Sequence, residues 1–205
     1  DRSVSRGLGD VYKRQALYGP WNLGFAYDKH TLRSVLVGEY SNGVGKFDTE
    51  RTEMGNLVYQ LKYRYNLSAV TRILELLSNS EDFKKFIANI DTILIVPPSN
   101  KARPFQPVFE VAKGISETFN KQFLFNALDT TNIEQIKNID EQDKYAQVKN
   151  SLSIRYSLLN KDNNYLIFDD VFDSGNTLRA YVDALKENGY NNISVFTLTK
   201  TRISD

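Results

Sequence analysis

The sequence predicts an α/β protein whose core is a parallel sheet flanked by helices. Short apolar runs at 93–96, 165–168 and 193–198 are typical of strands that are buried on both faces. Stretches with the apolar spacing of amphipathic helices separate these runs. Because strands alternate with helices along the chain, helical crossovers between parallel strands are favoured.

The composition indicates one globular domain with a sizeable core. Of the 205 residues, 41% are hydrophobic and 25% are charged. The formal net charge is +1, so no global field attracts nucleic acid or a membrane, and we expect neither as a direct partner. No apolar run approaches the ~18 residues of a membrane span. The absence of cysteine excludes disulfides and thiolate metal sites, and we expect a cytoplasmic protein.

The N-terminal part is predicted to contain a β-hairpin followed by two helices. From residue 21 to 40 the apolar spacing is strand-like, with a turn at 28–31 between two antiparallel runs and a second turn at 41–45. Apolar residues at helical spacing predict helices over 51–65 and 70–77. We consider the hairpin a possible intersubunit element of a homodimer.

Beyond residue 80 strands and helices alternate. The strand at 93–96 ends in Pro97-Pro98-Ser99-Asn100, and a helix follows with apolar residues in register from 108 to 119. The segment 126–164 is polar and poorly periodic, and we expect one short strand, a mobile stretch and a further turn or strand there. The last strand covers 193–198.

The most informative segment runs from Tyr165 to Leu178. Its buried strand at 165–168 leads directly to Asp169 and Asp170. Open α/β sheets bind their ligands at the carboxyl ends of the strands, so we expect both carboxylates to face a ligand.

The five residues 173–177, which follow the apolar pair Val171-Phe172, have the composition of a phosphate-binding loop. Gly175 permits backbone conformations that other residues resist, and Ser174 and Thr177 offer hydroxyl donors. Successive main-chain N–H groups and the N-terminus of the helix that follows attract an anion. An apolar stripe continues that helix to Gly189, a suitable end. The plainer alternative is a βα junction with a capped helix.

This segment resembles the phosphoribosyl-pyrophosphate (PRPP) motif of type I phosphoribosyltransferases. The family pattern is four apolar residues, two acids, an apolar pair and a Thr/Ser-Gly-x-Thr loop. Leu61-Lys62-Tyr63-Arg64 is similar to a helix of ComF-type members, and 93–105 to their Val-Pro-Val-Pro loop. Gln147, Lys149 and Arg155 match a further spacing of that subfamily, although its N-terminal cysteine zinc ribbon is missing.

The resemblance covers about 55–202 and implies a type I phosphoribosyltransferase-like fold with an N-terminal β-hairpin and helix addition. Residues 1–15 have neither a helical nor a strand period and are interpreted as a non-native or disordered tail. The resemblance divides the rest into a hood-like addition at 16–80 and the phosphoribosyltransferase core at 81–205.

The resemblance also implies a reaction in which PRPP, carried with Mg²⁺, loses diphosphate to a nitrogenous acceptor. Asp169 and Asp170 would accept hydrogen bonds from the ribose hydroxyls and favour the cation-like sugar. Asp173 would point outward or polarise the incoming nucleophile. The 5′-phosphate would be held by Ser174, Gly175, Asn176 and Thr177. No direct protein ligand of the metal is expected.

Two basic segments are candidates for the site, one facing the diphosphate and the other closing over the ligand. The diphosphate would face a loop whose members are Pro98, Ser99, Asn100, Lys101 and Arg103. Lys149 lies in the polar stretch that closes over the site in this interpretation. In both segments the alternative is a set of exposed charges in solvent.

Other residues carry weaker signals. His30, the only histidine, falls in the expected turn and is interpreted as a surface or hairpin residue. Tyr63 and Tyr65 either stack on a base or pack simply.

Several function classes stay open. The first is an Mg²⁺-dependent phosphoribosyltransferase, and the second is a non-catalytic PRPP or nucleotide sensor with the same fold. A competence- or DNA-uptake-associated accessory role lacks support from charge. The last class is a phosphatase-like protein whose acids bind metal, which usually requires Asp-x-Asp rather than adjacent acids.

Overall fold

A five-stranded, all-parallel sheet organises the chain, in the strand order β1-β9-β8-β4-β5. The computed structural model describes residues 16–98, 105–130 and 141–201. In chain order the elements are β1 (Leu23–Lys29), β2 (Thr31–Glu39), β3 (Gly45–Arg51), α1 (Glu53–Arg64), α2 (Ser68–Ser78), α3 (Glu81–Ala88), β4 (Thr92–Ile95), α4 (Pro107–Phe119), β5 (Gln122–Phe123), β6 (Leu128–Thr130), α5 (Glu141–Ser151), β7 (Leu152–Ile154), β8 (Tyr165–Phe172), α6 (Asn176–Glu187) and β9 (Ile193–Lys200).

Helices cover both faces of this sheet. On one face α1 to α4 pack against alternate residues of the central strands, and Phe83 contacts Phe196 with ring centroids 4.8 Å apart. On the other face α6 buries Leu178, Tyr181 and neighbouring side chains. The predicted α/β class, with a parallel sheet flanked by helices, is therefore confirmed.

Local signals explain where several helices begin. The Thr52 hydroxyl accepts a hydrogen bond of 2.9 Å from the Gly55 amide and caps α1. Ser80 caps α3 in the same way, and Pro107 occupies the first turn of α4, where no amide donor is needed. None of the helices in the described ranges is long and apolar enough to cross a lipid bilayer.

The predicted hairpin exists, but its strands are not the predicted ones. β1 does not pair with β2; it joins the edge of the main sheet and runs parallel to β9. The antiparallel partners are β2 and β3, joined by the turn in which the Tyr40 amide donates to the Val44 carbonyl at 2.8 Å. The cause is tertiary: Phe25 and Ala26 bury their side chains by adding to the sheet, whereas β2 is exposed almost throughout.

Two further differences affect the site. β8 continues to Phe172, so both aspartates lie within the strand rather than after it, and Asp169 pairs with Thr197 of β9. The polar segment 126–164, in which the sequence predicts one short strand, a mobile stretch and a further turn or strand, contains the strands β6 and β7 and also the helix α5. Polar contacts join it to α6: the Tyr145 hydroxyl donates to Asp183 at 2.5 Å, and Lys149 pairs with Glu187. Such contacts leave no apolar periodicity for sequence analysis to detect.

Candidate functional site

A cleft of about 570 Å³ opens at the carboxyl edge of the central strands. Parallel sheets place their ligand sites at this edge. Asp169 and Asp170 of β8 line it, together with Thr177 at the start of α6 and Pro98 after β4. The structure therefore brings together both acids, Thr177 of the predicted phosphate loop and Pro98 of the predicted diphosphate loop.

The two aspartates belong to different faces of the sheet. Adjacent strand residues point to opposite sides, and Asp170 meets α1 on the side that α1 to α4 cover. Lys62 Nζ of α1 lies 2.8 Å from Asp170 Oδ1, and the two side chains are only 22% and 8% exposed. Asp169 accepts a hydrogen bond of 2.8 Å from the Asp170 amide and acts electrostatically on Tyr181 of α6.

These surroundings place the two carboxyl groups in different electrostatic states. Burial and, to a smaller extent, the charge of Asp170 raise the pKa of Asp169 to about 8, although the charge of Lys62 opposes part of this shift. Burial lowers the pKa of Lys62, but the charge and hydrogen bond of Asp170 outweigh it, so the net shift is upward. Near neutral pH, Asp169 therefore holds a proton while Asp170 is paired with an ammonium group.

The loop before α6 has the geometry that the sequence indicates. Gly175 has φ +75°, and a Cβ on it would lie 2.6 Å from the Phe172 ring. Gly175 is the N-cap residue of α6, and no side-chain hydrogen bond caps this helix end among the described residues. A helix N-terminus at the edge of a cleft attracts an anion. Phe172 also contacts Trp21 edge-on, with ring centroids 6.3 Å apart.

The loop side chains do not all face the same space. Thr177 lines the main cleft, whereas Ser174 and Asn176 line a second cleft of about 550 Å³ beside Arg179. Asp173 is exposed and accepts a hydrogen bond of 2.8 Å from the Thr201 hydroxyl, so it is held toward the end of β9. Of the two orientations expected for Asp173, this contact favours the outward one.

The basic candidates lie elsewhere or outside the described residues. Lys149 of α5 pairs with Glu187 of α6, with Nζ and Oε1 2.5 Å apart, and is not among the residues that line the main cleft. The other four loop candidates fall outside the described residues: Ser99, Asn100, Lys101 and Arg103.

Lys62 is the cleft residue whose role sequence reasoning missed. The only signal was its place in the Leu-Lys-Tyr-Arg segment, which does not say where the side chain points. His30 is also closer to the site than expected. Its Nδ1 lies 3.0 Å from the Thr199 hydroxyl, which in turn lies 3.4 Å from the Asp170 carbonyl. Burial, together with Arg51 and Lys62, lowers the pKa of His30.

One wall of the cleft is aromatic. Phe109 and Phe125 line it with ring centroids 5.4 Å apart in an edge-on contact, and Phe125 is 52% exposed. Tyr63 and Tyr65 are exposed but are not among its lining residues. Phe125 therefore presents exposed aromatic surface at the cleft.

Comparison with known proteins gives a partial likeness. No family model and no curated protein matches the chain. A crystal structure of an adenine phosphoribosyltransferase aligns with a TM-score of 0.47 at 10% identity, over 83% of this chain and 86% of that one. The adenine phosphoribosyltransferase of Thermoanaerobacter pseudethanolicus aligns with a TM-score of 0.41 at 14% identity, over 83% and 95%. At these values the likeness alone assigns neither a family nor an activity.

The described residues offer no cluster suited to a resident metal ion. No group of three or more histidine, cysteine or acidic side chains in these ranges has the arrangement of a metal site. The Asp170 carboxylate is already engaged by an ammonium group.

Proposed function

We propose that this protein binds PRPP, as its complex with Mg²⁺, and transfers the phosphoribosyl group to a nitrogenous acceptor with release of diphosphate. Such a protein would be a pentosyltransferase of the glycosyltransferase class. One observation carries the proposal: Asp169, Asp170 and the N-terminal turn of α6 border one cleft at the carboxyl edge of a parallel sheet.

The chemistry follows from the charges of the substrate. The bond from ribose C1 to diphosphate oxygen breaks, the bond from C1 to the acceptor nitrogen forms, and the acceptor loses a proton. Positive charge develops on the sugar ring as diphosphate leaves. Carboxylates beside the ribose accept hydrogen bonds from its hydroxyls and stabilise that charge. The amides of α6 and the Thr177 hydroxyl would hold the 5′-phosphate.

Other assignments complete this proposal. Pro98, Ser99, Asn100, Lys101 and Arg103 would face the diphosphate, while Asp173 would act from the rim. We also propose a cytoplasmic protein related to ComF-type members, and a homodimer as its assembled form.

The test is to incubate the protein with PRPP, Mg²⁺ and a pool of nitrogenous bases and amines, and to follow diphosphate release. We expect release that depends on one or more acceptors, and calorimetry should detect PRPP binding without any acceptor. A protein that binds neither PRPP nor ribose 5-phosphate would overturn the proposal.

A non-catalytic PRPP sensor is the second candidate, and the placement of Lys149 favours it. An enzyme of this kind needs a segment that closes over the site, yet Lys149 is paired with Glu187 away from the main cleft. The same experiment separates the candidates. A sensor binds PRPP but releases no diphosphate with any acceptor in the pool.

A further inference from the structure

Lys62 connects the N-terminal helix α1 to the acidic pair on β8. Its ammonium group lies 2.8 Å from Asp170 Oδ1, in a pair that is mostly removed from solvent. Two residues that are 108 positions apart in sequence therefore share one charge pair at the floor of the cleft. In such surroundings a charge-assisted hydrogen bond is stronger than at an open surface.

The position of α1 that allows this contact is built into the fold. A Cβ on Gly55 would lie 2.0 Å from the His30 carbonyl oxygen, so only glycine lets the helix approach this closely. The Thr52 hydroxyl donates to the Lys29 carbonyl at 2.6 Å and ties the start of α1 to the end of β1. These two contacts fix the start of α1 against the end of β1, and this position of the helix allows Lys62 to contact Asp170.

The charges of the cleft make this contact important for an anionic ligand. Among the described residues that line the cleft, three are acidic (Glu110, Asp169 and Asp170) and Lys62 is the cation. PRPP carries a phosphate and a diphosphate, so uncompensated carboxylates would repel it. Lys62 offsets one of these charges at the position where the ribose is proposed to bind.

We propose that Lys62 is a positioning residue for PRPP binding, an inference that rests on the proposed function. It holds the Asp170 carboxylate in place through the ion pair and hydrogen bond, and its charge lowers the pKa of the neighbouring Asp169. The helix α1 is then part of the ligand site and not only an addition to the core.

The groups that face Lys62 set the pH range for a test. Asp169 and Asp170 face it from β8, Tyr63 neighbours it on α1, and His30 acts on it from the end of β1. The pKa of His30 is lowered from 6.5 by burial, with further lowering by Arg51 and Lys62. A phosphate monoester has its second pKa at about 6. Between pH 7 and 9.5 the titration of Asp169 therefore dominates.

The experiment measures PRPP affinity with Mg²⁺ by calorimetry over this pH range for wild type, Lys62→Met and Lys62→Arg. Lys84→Met is the matched control, because Lys84 forms an exposed ion pair on α3 away from the cleft. We expect Lys62→Met to weaken binding about tenfold or more at pH 7.5. We expect PRPP affinity to rise with pH as Asp169 loses its proton. In Lys62→Met this rise should occur at higher pH than in wild type, because Lys62 lowers the pKa of Asp169. Lys62→Arg should restore most of the affinity, and the control should match wild type.

The outcomes separate this inference from the proposed function. Wild type that fails to bind PRPP overturns both. If wild type binds PRPP and Lys62→Met binds it equally well, only the role of Lys62 is overturned. The same holds if Lys62→Met and Lys62→Arg weaken binding equally at every pH. If folded Lys62→Met shows no binding at all, retained binding by Lys62→Arg supports the inference and lost binding overturns it. Circular dichroism and thermal unfolding establish that each variant is folded.

Discussion

The two faces of the sheet treat neighbouring carboxyl groups in opposite ways. On the face covered by α1, Asp170 meets an ammonium group at 2.8 Å. On the face covered by α6, Asp169 has a backbone amide as its hydrogen-bond donor, and burial raises its pKa to about 8. The sequence shows two identical residues side by side, yet the fold gives one a charge partner and the other a proton.

This difference teaches that the pair is not a symmetric binding device. Asp170 is prepared as an acceptor before any ligand arrives. Asp169 gains its negative charge only when the pH rises or when a ligand makes ionisation favourable. Binding of a ribose to both carboxyl groups is then linked to release of a proton from Asp169.

The largest expected effect comes from removing both acids. Asp169→Asn combined with Asp170→Asn should abolish PRPP binding. The neutral amides do not favour a developing positive charge, and an amide NH₂ group that faces a ribose hydroxyl cannot accept its hydrogen bond. Calorimetry with Mg²⁺ measures the affinity, and thermal unfolding verifies the fold. Unchanged affinity in the folded double variant would rule out the proposed ribose contact.

Gly175→Val tests the phosphate loop on the α6 side. We expect weaker binding of both PRPP and ribose 5-phosphate, because the new side chain meets Phe172 and the loop must shift. The fold should survive at a cost of about 1–3 kcal/mol. Gly43→Val is the matched control: Gly43 has φ +77° in the β2–β3 turn, with open space around it. Preserved affinity for ribose 5-phosphate in Gly175→Val would show that the loop assignment is wrong.

Single substitutions should change stability in opposite directions. Asp170→Asn leaves Lys62 without its carboxylate and should cost about 2 kcal/mol, less than the ~3–5 kcal/mol of a fully buried pair because Lys62 still reaches solvent. For Asp169, the raised pKa means that the folded state binds more protons than the unfolded state between pH ~4 and ~8. Wild-type stability therefore falls as pH rises through this window, and Asp169→Asn should remove that loss.

Urea unfolding at several pH values measures both effects. Asp169→Asn and wild type should have similar free energies of unfolding near pH 4.5, and the variant should be more stable at pH 8.5. A variant that is less stable than wild type at both pH values would contradict the assignment of the proton to Asp169.

The smallest effect is expected at Lys149. Lys149→Met should leave PRPP affinity within about twofold of wild type, because the exposed pair with Glu187 lies outside the main cleft. A loss of tenfold or more would mean instead that α5 moves over the cleft when the ligand binds, as the sequence-based interpretation proposed. Calorimetry under the same conditions decides between these outcomes.

Much of the fold could be predicted because its signals are local. The buried runs of β4, β8 and β9 and the apolar stripes of α1, α2, α4 and α6 fall where the sequence places them. The strand pairing of β1 could not be predicted, because its partner β9 lies about 170 residues away and a nearby turn offered a simpler alternative. Helix α5 was missed because Tyr145 and Lys149 hold it by polar contacts.

Part of the membership of the cleft was predictable, but its geometry was not. The order of acids, glycine and hydroxyls located Asp169, Asp170 and Thr177 in one cleft. That order contains no information about which face of the sheet each acid meets, so neither the Lys62 pair nor the shifted Asp169 pKa could be foreseen. The outward contact of Asp173 likewise depends on Thr201, which lies beyond the motif.

The packing of Trp21 against Phe172 provides a reporter for the loop. Trp21 is the only tryptophan in the chain; its indole meets the Phe172 ring edge-on, and the Arg179 guanidinium group lies 5.9 Å from the indole ring. Phe172 in turn contacts the position where Gly175 turns the backbone. Fluorescence excited selectively in tryptophan therefore arises from one side chain next to the loop, and a change in its emission would report anion binding there without any added label.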